Sequence, residues 1–172
     1  MRDFIGVAII AIGLCGATSA FAQATASTSA SGSVTLVRPI TITKNADLEF
    51  GRVVKPTAGT GTVSMSNAAD TTTAGSGAVA LAGITTSRAK FTIDGEGAQV
   101  VNITVPATFA ITNGTDNITV TTTQNLGTST TLSGALGAAG SASLNVGGSF
   151  NVPSAISTGL FTGTLNVSVA YN

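Results

Sequence analysis

The sequence has no His and no Trp, a single Tyr and a single Cys, and charged residues make up only 8% of its 172 positions. Each shortage removes a class of function. The one cysteine, Cys15, lies in an N-terminal segment expected to be cleaved, which leaves a mature chain with neither imidazole nor thiol. Ser-His-Asp triads, cysteine nucleophiles, His/Cys zinc sites and disulfides are excluded together. Lys+Arg 7 against Asp+Glu 7 gives no field to attract nucleic acid or an anionic membrane, so no nucleic-acid partner is expected. With no Trp and one Tyr there is little from which to build an aromatic platform for sugars. Long apolar runs are also missing. The longest, Phe4 to Cys15, is about 12 residues against the roughly 20 that a membrane-crossing helix needs, so no transmembrane helix is expected.

That short run has a different reading. Met1-Arg2-Asp3, the apolar stretch and the small residues ending Ala20-Phe21-Ala22 follow the charged, hydrophobic and cleavage regions of a secretory signal peptide, with the cut placed after Ala22. Leu14 before Cys15 is too bulky for lipoprotein processing, so Cys15 reads as one more apolar residue of the signal. Residues 1–22 are thus a cleaved export signal, and the mature chain is destined for the periplasm, the cell surface or the extracellular space. Its 150 residues are the size of one domain.

Residues 23–33 are small and polar and form an N-terminal extension; residues 34–172 carry the domain. There, β-branched runs alternate with Gly, Asn, Asp and Pro, and nothing sustains the apolar stripe of a helix. The fold class is all-β. Strands are predicted at Val34 to Thr43, Leu48 to Val54, Thr62 to Ser66, Ala78 to Leu81, Ala89 to Ile93, Val100 to Val105, Thr108 to Thr112, Ile118 to Thr123, Ser143 to Val152 and Phe161 to Tyr171. Their spacing is that of an antiparallel β-sandwich. Turns are predicted at residues 44–47, 94–97 and 113–116 and at Gly147-Gly148. Residues 128–143 read as a weak strand or a loop without a side chain large enough to anchor it. The core is expected from Phe50, Phe91, Phe109, Phe150, Phe161 and Tyr171 with the aliphatic positions between them.

Motifs for chemistry are few. Ser87-Arg88-Ala89-Lys90 has the Ser-x-x-Lys spacing of penicillin-recognising enzymes, but it enters a strand, where residues three apart point to opposite faces. Asp47 with Glu49, and Asp94 with Glu96, are carboxylate pairs with no further acidic ligand nearby, and both read as solvated turn residues. Gly59-Thr60-Gly61 and Gly75-Ser76-Gly77 lack the Lys-Ser/Thr of a phosphate loop. Asn102, Asn113, Asn117 and Asn166 each start a glycosylation triplet, a frequent coincidence in a Thr-rich chain. No enzyme activity, cofactor or metal is expected.

The last predicted strand has the clearest pattern. Phe161, Gly163, Leu165, Val167, Val169 and Tyr171 alternate with polar or small residues, giving one apolar and one polar face. The segments LEFGRVV (Leu48 to Val54), RAKFTIDGEG with VVNITVP (Arg88 to Pro106) and LNVGGSFNVPSAISTGLFTGTLNVSVAYN (Leu144 to Asn172) resemble the bacterial domain of unknown function 4402 family. That family is in turn similar to the immunoglobulin-like subunits of chaperone–usher pili and to spore coat U-like domains. Pilin subunits end in an alternating strand with a penultimate aromatic and a Gly about fourteen residues from the end; here these are Tyr171 and Gly159.

The resemblance implies an immunoglobulin-like sandwich lacking one edge strand. Its apolar groove would be filled first by a periplasmic chaperone and then by the N-terminal extension of another copy or a related subunit. Gly159, Phe161, Gly163, Leu165, Val167, Val169 and Tyr171 would be the partner-binding residues, and residues 23–33 the candidate donor strand. The chain would be a structural subunit of a cell-surface or fimbria-like assembly. Two departures favour an alternative, a self-contained monomeric binding module or adhesin. The extension offers Ala24, Ala26, Thr28, Ala30 and Gly32 before Val34 and Leu36, and each Ala buries about a third of the apolar surface of a Leu at roughly 25 cal/mol per Å². The disulfide common near the first strand of pilins is also missing.

Overall fold

The computed structural model describes residues 25–172. Residues 1–22, expected to be an export signal, lie outside the described residues, as do Gln23 and Ala24. Thr25 to Ser33 are exposed and belong to no strand, and the strands all fall within Thr35–Asn172.

The protein is all-β, with no helix among the described residues, and every strand pair is antiparallel. Twelve strands are formed: β1 (Thr41–Ala46), β2 (Val53–Val54), β3 (Thr60–Met65), β4 (Thr72–Gly75), β5 (Val79–Ala80), β6 (Ala89–Glu96), β7 (Val100–Thr104), β8 (Thr108–Thr112), β9 (Asn117–Gln124), β10 (Ser129–Thr131), β11 (Ala139–Pro153) and β12 (Ser168–Tyr171). A curled seven-stranded sheet runs β1-β6-β11-β3-β4, with β9 also on β11 and β8 on β9. A three-stranded sheet has the order β10-β7-β12, and β2 pairs with β5.

The hinge of this arrangement is β11. Val146 pairs with both Ala89 of β6 and Gln124 of β9, and Gly148 pairs with both Met65 of β3 and Thr122 of β9. A strand has two edges, so β9 occupies one while β6 and β3 share the other, β6 along the first half and β3 along the second. Gly147-Gly148, predicted as a turn, lies inside this strand instead. The reason is close approach. A Cβ on Gly147 would run into the carbonyl oxygen of Met65 and the backbone of Ser66 and Asn67, so only glycine admits the switch of partner here.

The main core lies between the two larger sheets. Ala89, Phe91 and Ile93 of β6 and Leu144 and Val146 of β11 pack with Val101 and Ile103 of β7 and with Leu132. These positions follow the period-2 alternation of their strands, as in Gly61, Val63 and Met65 of β3. A second cluster joins Val63, Ala78 and Val152, with Phe50 and Phe150 meeting edge to face at 4.9 Å.

Several expectations need correction. Of the six aromatics expected in the core, Phe91 is buried and Phe50, Phe150 and Tyr171 pack half-buried against the two clusters, whereas Phe109 and Phe161 belong to neither. Val34 to Pro39, predicted as strand, is exposed and unpaired, and the first strand starts at Thr41. Of Leu48 to Val54 only Val53–Val54 forms a strand, while Glu49 makes an isolated bridge to Ser87. The turn expected at 94–97 begins only after Glu96, because β6 continues to pair with β11 as far as Glu96↔Ala139. Residues 128–143 contain β10, the start of β11 and an anchor after all: Leu132 is 2% exposed.

Candidate functional site

The burial of the C-terminal segment alternates as its sequence does except at Gly163, which is exposed instead of lying on the buried face. Phe161, Leu165, Val167, Val169 and Tyr171 are half-buried; Thr162, Thr164, Asn166, Ser168 and Ala170 are exposed. The ladder, however, forms only at its two ends. Thr162 bridges Thr112 at the end of β8, with both backbone hydrogen bonds made, and β12 pairs with β7 from Ser168↔Thr104 to Tyr171↔Val101. Between them Gly163–Val167 belongs to no ladder. Gly163 lies so close to β8 that a Cβ would meet the carbonyl oxygen of Ala110. Gly159 lies outside this face, exposed in the loop before the bridge with φ at 144°.

β12 is the edge of its sheet, with β7 as its one ladder neighbour among the described residues. Leu165, Val167, Val169 and Tyr171 all pack against the main core, and so do Ile40 and Ile42 at β1. One flank of the core is thus bordered by half-buried apolar side chains from both the first strand and the last. Burial stops short of completion on both sides.

The Tyr171 hydroxyl makes a specific pair of contacts. It accepts a hydrogen bond from the Glu96 N–H at 2.7 Å and donates one to the Arg38 carbonyl oxygen at 2.8 Å. Glu96 is 2% exposed, the buried charged residue of the described chain. Its carboxylate accepts from the Gly137 N–H on Oε1, and from the Arg38 N–H at 3.2 Å and Arg38 Nη1 at 3.1 Å on Oε2. The Gly137 N–H is the main reason the Glu96 carboxyl is held below its ordinary range; burial opposes this, and the Arg38 N–H and guanidinium reinforce it. Glu96 is therefore no solvated turn residue. Nothing in the sequence separates it from Asp94, its exposed neighbour on the other side of Gly95.

The remaining candidate groups face apart. Ser87 Oγ donates to the Asp47 carbonyl oxygen at 2.7 Å, whereas Lys90 Nζ bonds Asp70 Oδ2 at 2.7 Å. Asp70 also accepts from the Arg88 N–H, and the Lys90 bond, followed by that one, lowers its pKa. Asp47 pairs with Lys44 at 2.6 Å at the surface. No helix among the described residues is long and apolar enough to cross a membrane.

A fold built on a long shared strand, with a half-covered terminal strand and Arg38 and Tyr171 bonded to the buried Glu96, is the form this sequence takes. Residues 40–171 match the family described as Domain of unknown function (DUF4402), and the chain belongs to that family. No curated protein and no solved structure gives a significant match to it.

Proposed function

We propose that the protein is an exported, non-enzymatic structural subunit of a cell-surface or fimbria-like assembly. Its domain is read as an immunoglobulin-like, pilin-like sandwich, and its copies or related subunits join by β-strand addition after handling by a periplasmic chaperone. The observation that carries this reading is the edge strand β12, whose apolar face reaches the core but stays half-buried with one side unpaired. An edge of this kind recruits other strands unless something covers it. The N-terminal segment supplies a matching feature. Val34 is 82% and Leu36 86% exposed in a stretch that belongs to no strand, so the donor segment read as residues 23–33 gains two large apolar side chains at its C-terminal end.

In this account Leu165, Val167, Val169 and Tyr171 line the acceptor, with Phe161 and Gly163 continuing it toward β8. Deleting Gln23 to Leu36 from the mature chain is expected to abolish assembly while residues 37–172 still unfold cooperatively. Assembly that survives the deletion would count against strand addition. The second reading, a self-contained secreted binding module or adhesin, draws support from a polar cleft elsewhere on the domain, described next.

A further inference from the structure

β9 and β11 are paired only over part of their length. From Val146↔Gln124 to Ser149↔Thr121 they form a ladder; beyond Ser149 they part, and Asn117 and Thr119 face Asn151 and Pro153 across an open cleft of about 610 Å³. Each strand keeps its other neighbour, β9 to β8 and β11 to β3, so both walls are fixed. The size falls within the usual range for a small-molecule site.

The lining mixes apolar and polar surface, and Asp116 is its one charged group. Alternation along the strands brings the hydroxyl and amide groups of Thr62, Ser64, Thr119, Thr121, Ser149 and Asn151 to the cleft, and no Lys or Arg belongs to its lining. Val63, Ile118, Phe150 and Ile156 supply the apolar part of the lining; Phe150 lies on the opposite face of β11 from Ser149 and Asn151 and packs against Phe50. At one end sits Asp116. Its Oδ2 accepts from the Ser157 N–H at 2.8 Å and from the Ser157 hydroxyl at 2.5 Å, while Asn113 Nδ2 donates to the same hydroxyl at 2.8 Å and Asn113 Oδ1 receives the Asp116 N–H at 2.8 Å. The Ser157 hydroxyl and N–H, in that order, hold this carboxyl below its ordinary range against some burial, with a smaller contribution from Lys55. Lys55 itself donates to the Ile156 carbonyl oxygen at 2.7 Å. Among the described residues the side-chain hydrogen bonds to Asp116 fall on Oδ2, which leaves Oδ1 as a fixed acceptor.

We infer that this cleft is a binding site for a neutral oligosaccharide. Such a ligand presents many hydroxyls that both donate and accept, together with apolar C–H faces. The site matches it with neutral hydroxyls and amides on two walls, one carboxylate held in place by its neighbours, and apolar lining such as Ile118 and Ile156 for the C–H faces. A nucleotide or other polyanion would find no cation in the lining, and a large apolar ligand would bury unpaired hydroxyls. The sequence concealed this because the polar groups come from strands far apart in the chain. The cleft uses β3, β9 and β11 and not β12, so it is independent of strand addition.

The test is titration of the mature chain, followed by backbone amide NMR, with maltotriose, cellotriose, mannotriose and chitotriose, and with an extended Ala/Ser/Thr peptide as competitor. At least one trisaccharide is expected to give saturable shifts centred on Asn117–Thr121 and Ser149–Asn151. Thr119→Val and Asn151→Ala, both at exposed positions, should each weaken it by about fivefold or more, the loss of roughly one hydrogen bond, with unchanged unfolding midpoints. Absence of saturation by any of the four sugars at millimolar concentration would overturn the assignment. So would binding that both substitutions leave intact, or binding of the peptide in place of the sugars.

Discussion

At the scale of single residues, the fold's most demanding position is Glu96, at 2% exposure, whose backbone N–H bonds Tyr171 and whose carboxylate bonds Arg38 and Gly137. Removing water from a charge is costly unless hydrogen bonds replace it, and the Gly137 N–H with the Arg38 N–H and guanidinium do so around this carboxylate. Because the folded-state pKa of Glu96 is depressed, its contribution to stability is complete above the ordinary carboxylate pKa of 4.5 and is lost as pH falls toward the lower folded value. The urea midpoint of the mature protein should therefore fall with acidification below about pH 4.5. Glu96→Gln should flatten part of that slope; an identical slope in the variant would show that other carboxylates carry it. Tyr171→Phe leaves the ring and removes both hydrogen bonds, so unfolding should cost about 1–3 kcal/mol less. Measuring stability beside assembly keeps a folding defect from being mistaken for a lost partner contact. Neither role was legible in the sequence. Asp94-Gly95-Glu96-Gly97 has the composition of a turn, and Tyr171 reads as the apolar end of an alternating strand.

At the scale of elements, local pattern located strands well wherever both faces have their own character. β3, β7, β8 and β9 fall close to the predicted segments because Val, Ile and Thr alternate along them. The pattern failed where pairing and not side-chain polarity decides. The predicted last strand is paired only at its two ends, and Gly163–Val167 lies outside any ladder. β11 runs straight through two glycines because another backbone needs the space. Gly147→Val would place a branched side chain on Met65–Asn67, separating β3 from β11 and opening the second core cluster. We expect loss of cooperative unfolding, seen as a broad urea transition with early exposure of Phe150. A sharp transition at the wild-type midpoint would refute the close-approach account.

At the scale of the whole molecule, composition sufficed to indicate an all-β chain, and segments at its start, middle and end pointed to the family that residues 40–171 match. How the strands are ordered could not be read from local pattern, since the pairings of β11 with β6, β9 and β3 join residues distant in sequence. The cleft escaped for the same reason. The account's central claim is that the half-covered edge at β12 is completed by a strand from another subunit. Its most direct test is the size distribution of the mature protein taken from its native cell surface, run on a denaturing gel unheated and boiled. Subunits locked by strand exchange should give a ladder that collapses on boiling to one band of the mature chain, because such pairing dissociates slowly. A single monomer band in both lanes, from protein already monomeric before detergent, would contradict the claim.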